Sequence, residues 1–114
     1  MRTHVINKRN WKKKPTIVFL HGYGAASCHY YQLFSLLDNF CAIFVDMIGM
    51  GMSSRPNDFN SNSSPAECLT YFTNYLEKWR KEISVKFKQE LTKFVLIGHS
   101  FGGYIAGNYC IKYP

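Results

Sequence analysis

Ser100 lies between two glycines in Gly98-His99-Ser100-Phe101-Gly102, the G-x-S-x-G spacing of a nucleophile elbow. A hydroxyl held on such a turn attacks a carbonyl carbon, and the tetrahedral oxyanion that forms needs donors already in place and desolvated. The backbone N–H of Phe101, next to the serine at the start of a helix, is one predicted donor. Gly98 and Gly102 serve the turn itself, because without side chains there the following helix packs close against the incoming strand.

The other residues with chemistry to offer fit less well. His99 is flanked by Gly98 and Ser100, so the turn directs its ring away from the serine hydroxyl, and a packing role is expected. His21 is expected to order its own glycine-rich loop through a hydrogen bond. Asp46 opens a loop containing Gly49 and Gly51, where a side-chain-to-backbone turn bond is its natural use. His4 and His29 have no partner pattern. Cys28, Cys41, Cys68 and Cys110 show neither a C-x-x-C pair nor cysteine-histidine ligand spacing, so no metal site and no redox motif is supported, and four buried thiols are expected.

The elements that position Ser100 are legible from periodicity. Phe94 to Ile97 is an apolar run of strand length, as in a strand buried on both faces of a parallel sheet. Gly103 to Lys112 continues beyond the elbow as a helix. Earlier, Thr16 to Leu20 is a strand running into the small, flexible loop His21 to Ser27, and Cys41 to Val45 is another, closed by Asp46 and its loop. Between them Tyr30, Leu33, Phe34 and Leu37 recur at helical spacing, which predicts a helix over 29–38. Ser64-Pro65-Ala66-Glu67 is a capping box with proline at the first helical position, and Leu69, Phe72, Leu76, Trp79 and Ile83 then mark one sheet-facing stripe. Thr3 to Asn7 reads as the end of a strand, with Lys8 to Lys14 as a hairpin-like connection. The alternation of strand and helix predicts an α/β fold with a mostly parallel, doubly wound sheet. In such sheets ligands sit beyond the C-terminal ends of the strands, where the His21 loop and Ser100 meet.

Composition narrows the function classes. The 114 residues are 46% hydrophobic and 17% aromatic, enough for one globular core and too apolar for a disordered tail. The net charge of +7 includes a cluster at Lys8, Arg9, Lys12, Lys13 and Lys14. No nucleic-acid motif accompanies it, so nucleic acid is not an expected partner, and a solvated connection is the ordinary reading. The first ten residues carry no apolar leader-like core, and no apolar run approaches membrane-spanning length. A cytoplasmic setting is the expectation, with any membrane or lipid-droplet association peripheral and electrostatic.

Three motifs together resemble the α/β-hydrolase superfamily: His21-Gly22-Tyr23-Gly24, then Asp46-Met47-Ile48-Gly49-Met50-Gly51-Met52-Ser53, then Gly98-His99-Ser100-Phe101-Gly102. More narrowly, Asp46 through Pro56, Glu77-Lys78-Trp79-Arg80 and Gly98 through Tyr104 resemble the lipid-acting branch that contains the N-acylphosphatidylethanolamine lipase and the lipid-droplet lipase co-activator. The co-activator type carries asparagine at the nucleophile position, whereas this chain has Ser100. The resemblance implies a serine hydrolase of lipase or esterase type acting on an acyl ester or amide of a lipid, or an acyltransferase of the same branch. A non-catalytic protein that keeps the fold to bind lipid surfaces or a lipase is the other class. The loop after the first long strand faces the elbow, which makes the Tyr23 N–H the second oxyanion donor, with that of Gly24 as the alternative. No cofactor is implied. In this fold the triad acid and histidine follow the serine along the chain, and neither lies in the fourteen residues after Ser100. Residues 1–114 are therefore expected to be the N-terminal part of a single domain, a partial fold in which the C-terminal strands are missing.

Overall fold

A computed structural model describes residues 1–114. Four strands, β1 (Thr3–Ile6), β2 (Thr16–Leu20), β3 (Cys41–Val45) and β4 (Val95–Gly98), form one sheet in the order β1-β3-β2-β4. β2 pairs in parallel with both β3 and β4, whereas β1 is antiparallel to β3. The fold is α/β with a mostly parallel sheet, as the strand-helix alternation implies.

Alternation along the strands sorts the two faces. Val18, Leu20, Cys41, Ile43 and Val45 enter one core with Leu76, Trp79 and Ile83 of α1 (Pro65–Phe87) and Ile105, Ala106 and Tyr109 of α2 (Phe101–Lys112). On the opposite face Phe44 stacks with Phe19 and is covered by Phe34, with ring centroids 5.3 and 4.7 Å apart. The sheet is thus covered on both sides, and its C-terminal edge is left to the loops.

Three expectations need correction. The segment over 29–38 is not an α-helix but a run of 3₁₀ turns, Ser27–Leu37, interrupted at Tyr30. Its predicted stripe of Tyr30, Leu33, Phe34 and Leu37 does face inward. However, Tyr30 is drawn to Phe19, 5.0 Å between centroids, and to the His99 ring, and these contacts outweigh helical geometry in a segment with neither acid at its start nor base at its end. Lys8 to Lys14 does not close a hairpin, because β1 and β2 both flank β3. Asn7 and Lys12 turn the connection through positive φ, and Asn7 Nδ2 and Asn10 Nδ2 donate to the carbonyls of Leu37 and Asp38. Only Cys41 of the four cysteines is buried; Cys28 and Cys110 are exposed, Cys110 beside the equally exposed Ile111 on the outer side of α2.

β4 keeps the apolar strand pattern and stands at the open edge of this partial sheet. It is a sheet edge with β2 as its one partner, and Val95 and Ile97 are 52% and 37% exposed.

The capping box is present: Ser64 Oγ accepts from Glu67 N–H, and Ser64 N–H donates to Glu67 Oε2. Further along α1, Glu77-Lys78-Trp79-Arg80 joins four parts of the chain. Trp79 Nε1 donates to Thr3 Oγ1 of β1 at 2.9 Å, and Arg80 donates to both Glu77 oxygens and to the Leu91 carbonyl before β4. The Tyr109 hydroxyl of α2 donates to Glu77 at 2.6 Å. The Glu77 carboxyl is pushed down to about 2, first by the Arg80 hydrogen bond, with burial acting against it and Tyr109 adding to it. A depressed carboxylate contributes stability above its unfolded pKa, about 4.3, and that contribution is lost as pH falls toward the folded value. Glu77→Gln is therefore expected to be less stable at neutral pH and to show a flatter acid limb between about pH 5 and 2 in urea unfolding.

Candidate active site

The three parallel strands end level with one another, since Leu20 pairs with both Val45 and Gly98. The residues that follow, His21, Asp46 and His99, therefore leave the sheet side by side. His99 N–H donates to the Leu20 carbonyl, so the turn that carries Ser100 begins with a bond to the neighbouring strand.

Ser100 sits on that turn at φ 54°, ψ −119°, a positive φ for a non-glycine residue. Such conformations cost on the order of 1–3 kcal/mol and persist when surrounding packing fixes them. The packing is visible at the two glycines. A Cβ on Gly98 would collide with the Gly102 carbonyl oxygen, and one on Gly102 would lie 2.5 Å from the carbonyl oxygens of Leu20 and His21. Ser100 is exposed and its side chain makes no capping bond.

The neighbouring N–H groups are partly committed. Gly102 N–H donates to His99 O, and Gly103 and Tyr104 donate to Ser100 O. The Phe101 N–H, first in α2, has no acceptor within the helix. In the facing loop Ala25 N–H closes onto Gly22 O, and no loop bond uses the Tyr23 N–H. A Cβ on Gly22 would touch Ser100 Cβ at 3.4 Å, so the two loops are in contact.

His21 and Asp46 knit this arrangement from beneath. His21 is buried, with Nδ1 2.7 Å from Gly22 O and Nε2 accepting from Met47 N–H at 2.9 Å. With Nε2 an acceptor, Nδ1 carries the proton and donates to Gly22. Asp46, also buried, accepts from Ser27 N–H at 2.7 Å and Met52 N–H at 2.9 Å. Burial alone would raise its carboxyl, yet the hydrogen bonds from Met52 and Ser27 hold it below the usual range. The expected loop-ordering bonds of both residues are thus present, and each also reaches a second loop. His99 is exposed rather than packed, its Nδ1 2.8 Å from the Tyr30 hydroxyl. Neither His21 nor His99 hydrogen-bonds Ser100. Sequence reasoning missed Tyr30, because a contact sixty-nine residues away leaves no local signal.

Beside Tyr23 and Phe101 opens a groove of about 570 Å³, walled by Ile48, Met50, Phe59, Tyr71 and Phe72. Asp58 accepts from the Tyr71 and Tyr75 hydroxyls at 2.8 and 2.6 Å, which ties the loop carrying Phe59 to α1.

Residues 17–113 match the alpha/beta hydrolase family. The chain belongs to that family. Among curated relatives of this alpha/beta hydrolase, it is 43% identical over 101 residues to the 1-acylglycerol-3-phosphate O-acyltransferase of Arabidopsis thaliana, covering 88% of this chain and 22% of that protein. It is 39% identical over 104 residues to the abhydrolase domain-containing protein abhd-5.2 of Caenorhabditis elegans, covering 90% and 21%. To the 1-acylglycerol-3-phosphate O-acyltransferase ABHD5 of Homo sapiens it is 34% identical over 106 residues, covering 92% and 28%. The chain thus spans between a fifth and a third of the length of these relatives. The Bacillus cereus carboxylesterase superposes with a TM-score of 0.70 at 21% identity, over 95% of this chain and 52% of that one. A membrane phospholipase A described as a bacterial virulence factor superposes at 0.72 and 23% identity, over 90% and 30%. At these identities the two structures support the α/β-hydrolase fold alone.

Proposed function

We propose that Ser100 is the nucleophile of an enzyme that moves an acyl group of a glycerolipid, by hydrolysis or by transfer to a second lipid. The observation that carries this reading is Ser100 itself, held exposed at positive φ on a turn whose glycines admit no side chain. Phe101 and Tyr23 donate their backbone N–H groups to the oxyanion. In the reaction Ser100 Oγ bonds to the acyl carbonyl carbon, its proton passes to a base, and the alcohol of the lipid leaves with a proton from that base. Water or an acceptor hydroxyl then takes the acyl group and restores Ser100. Transfer is favoured as the second half-reaction by the acyltransferase names of the relatives.

The base is supplied from outside these residues. His21 has both ring nitrogens engaged in loop bonds and His99 is turned to Tyr30, so neither is placed to take the Ser100 proton. Residues 1–114 act as the nucleophile-bearing part of a larger hydrolase domain, in keeping with the lengths of the relatives. The test is to incubate protein with radiolabelled 1-oleoylglycerol-3-phosphate and to separate fatty acid, the product of hydrolysis, from diacyl product, formed with release of glycerol 3-phosphate when a second molecule accepts the acyl group. Residues 1–114 alone should give neither, and the polypeptide that adds the downstream segment should give one or both. Ser100-dependent turnover by residues 1–114 alone would show that a base lies within them.

Contact with lipid surfaces, on this reading, is peripheral. No helix is long and apolar enough to cross a membrane, and the exposed Lys8, Arg9, Lys12, Lys13 and Lys14 supply attraction to anionic headgroups. Binding to phosphatidylserine vesicles should fall several-fold between about 0.05 and 0.5 M salt as the Debye length shortens. Sedimentation that is independent of salt would assign the contact to apolar surface instead.

A further inference from the structure

We infer that Arg55 reads the anionic headgroup of a phosphate-bearing monoacyl lipid whose chain lies in the groove beside Ser100. The inference rests on the acyl-transfer reading for its substrate class and adds the residue that selects the headgroup. Arg55 is the one charged side chain lining the groove. Its guanidinium is fixed by two bonds to backbone, Nη1 to Ser53 O at 3.0 Å and Nη2 to Gly51 O at 3.2 Å. Neither acceptor is an anion, and both ion pairs of the chain belong to Glu77, so the Arg55 charge has no carboxylate within 4.0 Å.

Two of the five guanidinium N–H donors are committed and three remain, in the planar fork that suits phosphate oxygens. The approach is open, since Arg55 is itself exposed at the groove wall. An oriented, uncompensated cation at the wall of an otherwise apolar groove favours a ligand with one anionic end and one apolar tail. A free phosphate would use the cation and leave the groove empty, and a neutral monoacylglycerol would do the reverse.

The test is calorimetric titration of residues 1–114 with 1-decanoylglycerol-3-phosphate below its micellar concentration, alongside 1-decanoylglycerol and glycerol 3-phosphate. Arg55→Gln should weaken the phosphate lipid about tenfold or more and leave the neutral lipid within about twofold, with Arg55→Lys between wild type and Gln. Lys86→Gln, an exposed cation near the far end of α1, should leave the phosphate lipid within about twofold. Circular dichroism of each variant accompanies the titrations. Equal weakening of both lipids would reduce Arg55 to a clasp of its own loop. Unchanged binding in Arg55→Gln, equal loss in the Lys86 variant, glycerol 3-phosphate binding as tightly as the acyl form, or no binding by wild type would each overturn the inference. Binding does not require the serine, so a failed nucleophile assignment leaves this result standing, and the converse also holds.

Discussion

Ser100→Ala is expected to lower acyl turnover by about 10⁴-fold or more in protein that contains both serine and base. On the reading proposed above, no acyl-enzyme forms without the hydroxyl, and what remains is the proposed oxyanion donors acting on water. Stability should change little, by about 0.5 kcal/mol or less, because Ser100 is exposed and caps nothing. The separation of the two readouts matters, since loss of activity with loss of fold would say nothing about chemistry. Labelling with a fluorophosphonate gives the direct measurement, and equal labelling of wild type and Ser100→Ala would place the nucleophile elsewhere.

The second large effect is expected at the glycines, in stability rather than chemistry. Gly98→Ala and Gly102→Ala each drive a methyl group into backbone, the Gly102 carbonyl in one case and the ends of β2 in the other. Backbone cannot step aside as a flexible side chain does, so each should cost about 3 kcal/mol or more, and a domain of this size has few such amounts to lose. Gly107→Ala is the internal control. It lies in the same helix with open space at its Cβ position and should stabilise by about 0.5–1 kcal/mol. Urea midpoints of the three variants decide the matter, and a Gly102→Ala protein as stable as wild type would mean that the elbow has room it does not show.

The comparison of sequence with structure divides by the range of the interaction. Ser64, Pro65 and Glu67 announce the start of α1 within four residues, and the structure repeats them bond for bond. The elbow is equally local, a glycine two before and two after the serine. The 3₁₀ segment was illegible because apolar residues three and four apart mark one face of either kind of helix, and the difference was made by Tyr30 reaching Phe19 and His99. The partner of β1 is hidden for a similar reason: the pairing of Thr3 with Val45 depends on which sheet edge is free. Glu77-x-Trp79-Arg80 was recognisable as a motif, but its work, joining β1, α2 and the loop before β4, is written in residues far from it. Arg55 falls within the Asp46 to Pro56 motif, but nothing local gives it a role, since its wall of apolar neighbours is assembled from residues far along the chain.

The sheet order also sets a timetable for synthesis. β1, β2 and β3 lie within the first 45 residues and can pair as soon as they emerge, but β2 receives its second neighbour only when Ile17 meets Val95, 78 residues later (95 − 17 = 78). At roughly 5–20 residues per second that interval lasts several seconds. Throughout it the open side of β2 presents Val18 and Leu20 beside unpaired backbone groups, and α1 is completed before the strand it helps to seat. The nascent chain thus passes through a stage in which β2, an interior strand of the finished sheet, is an edge and a natural point of engagement for a ribosome-associated chaperone.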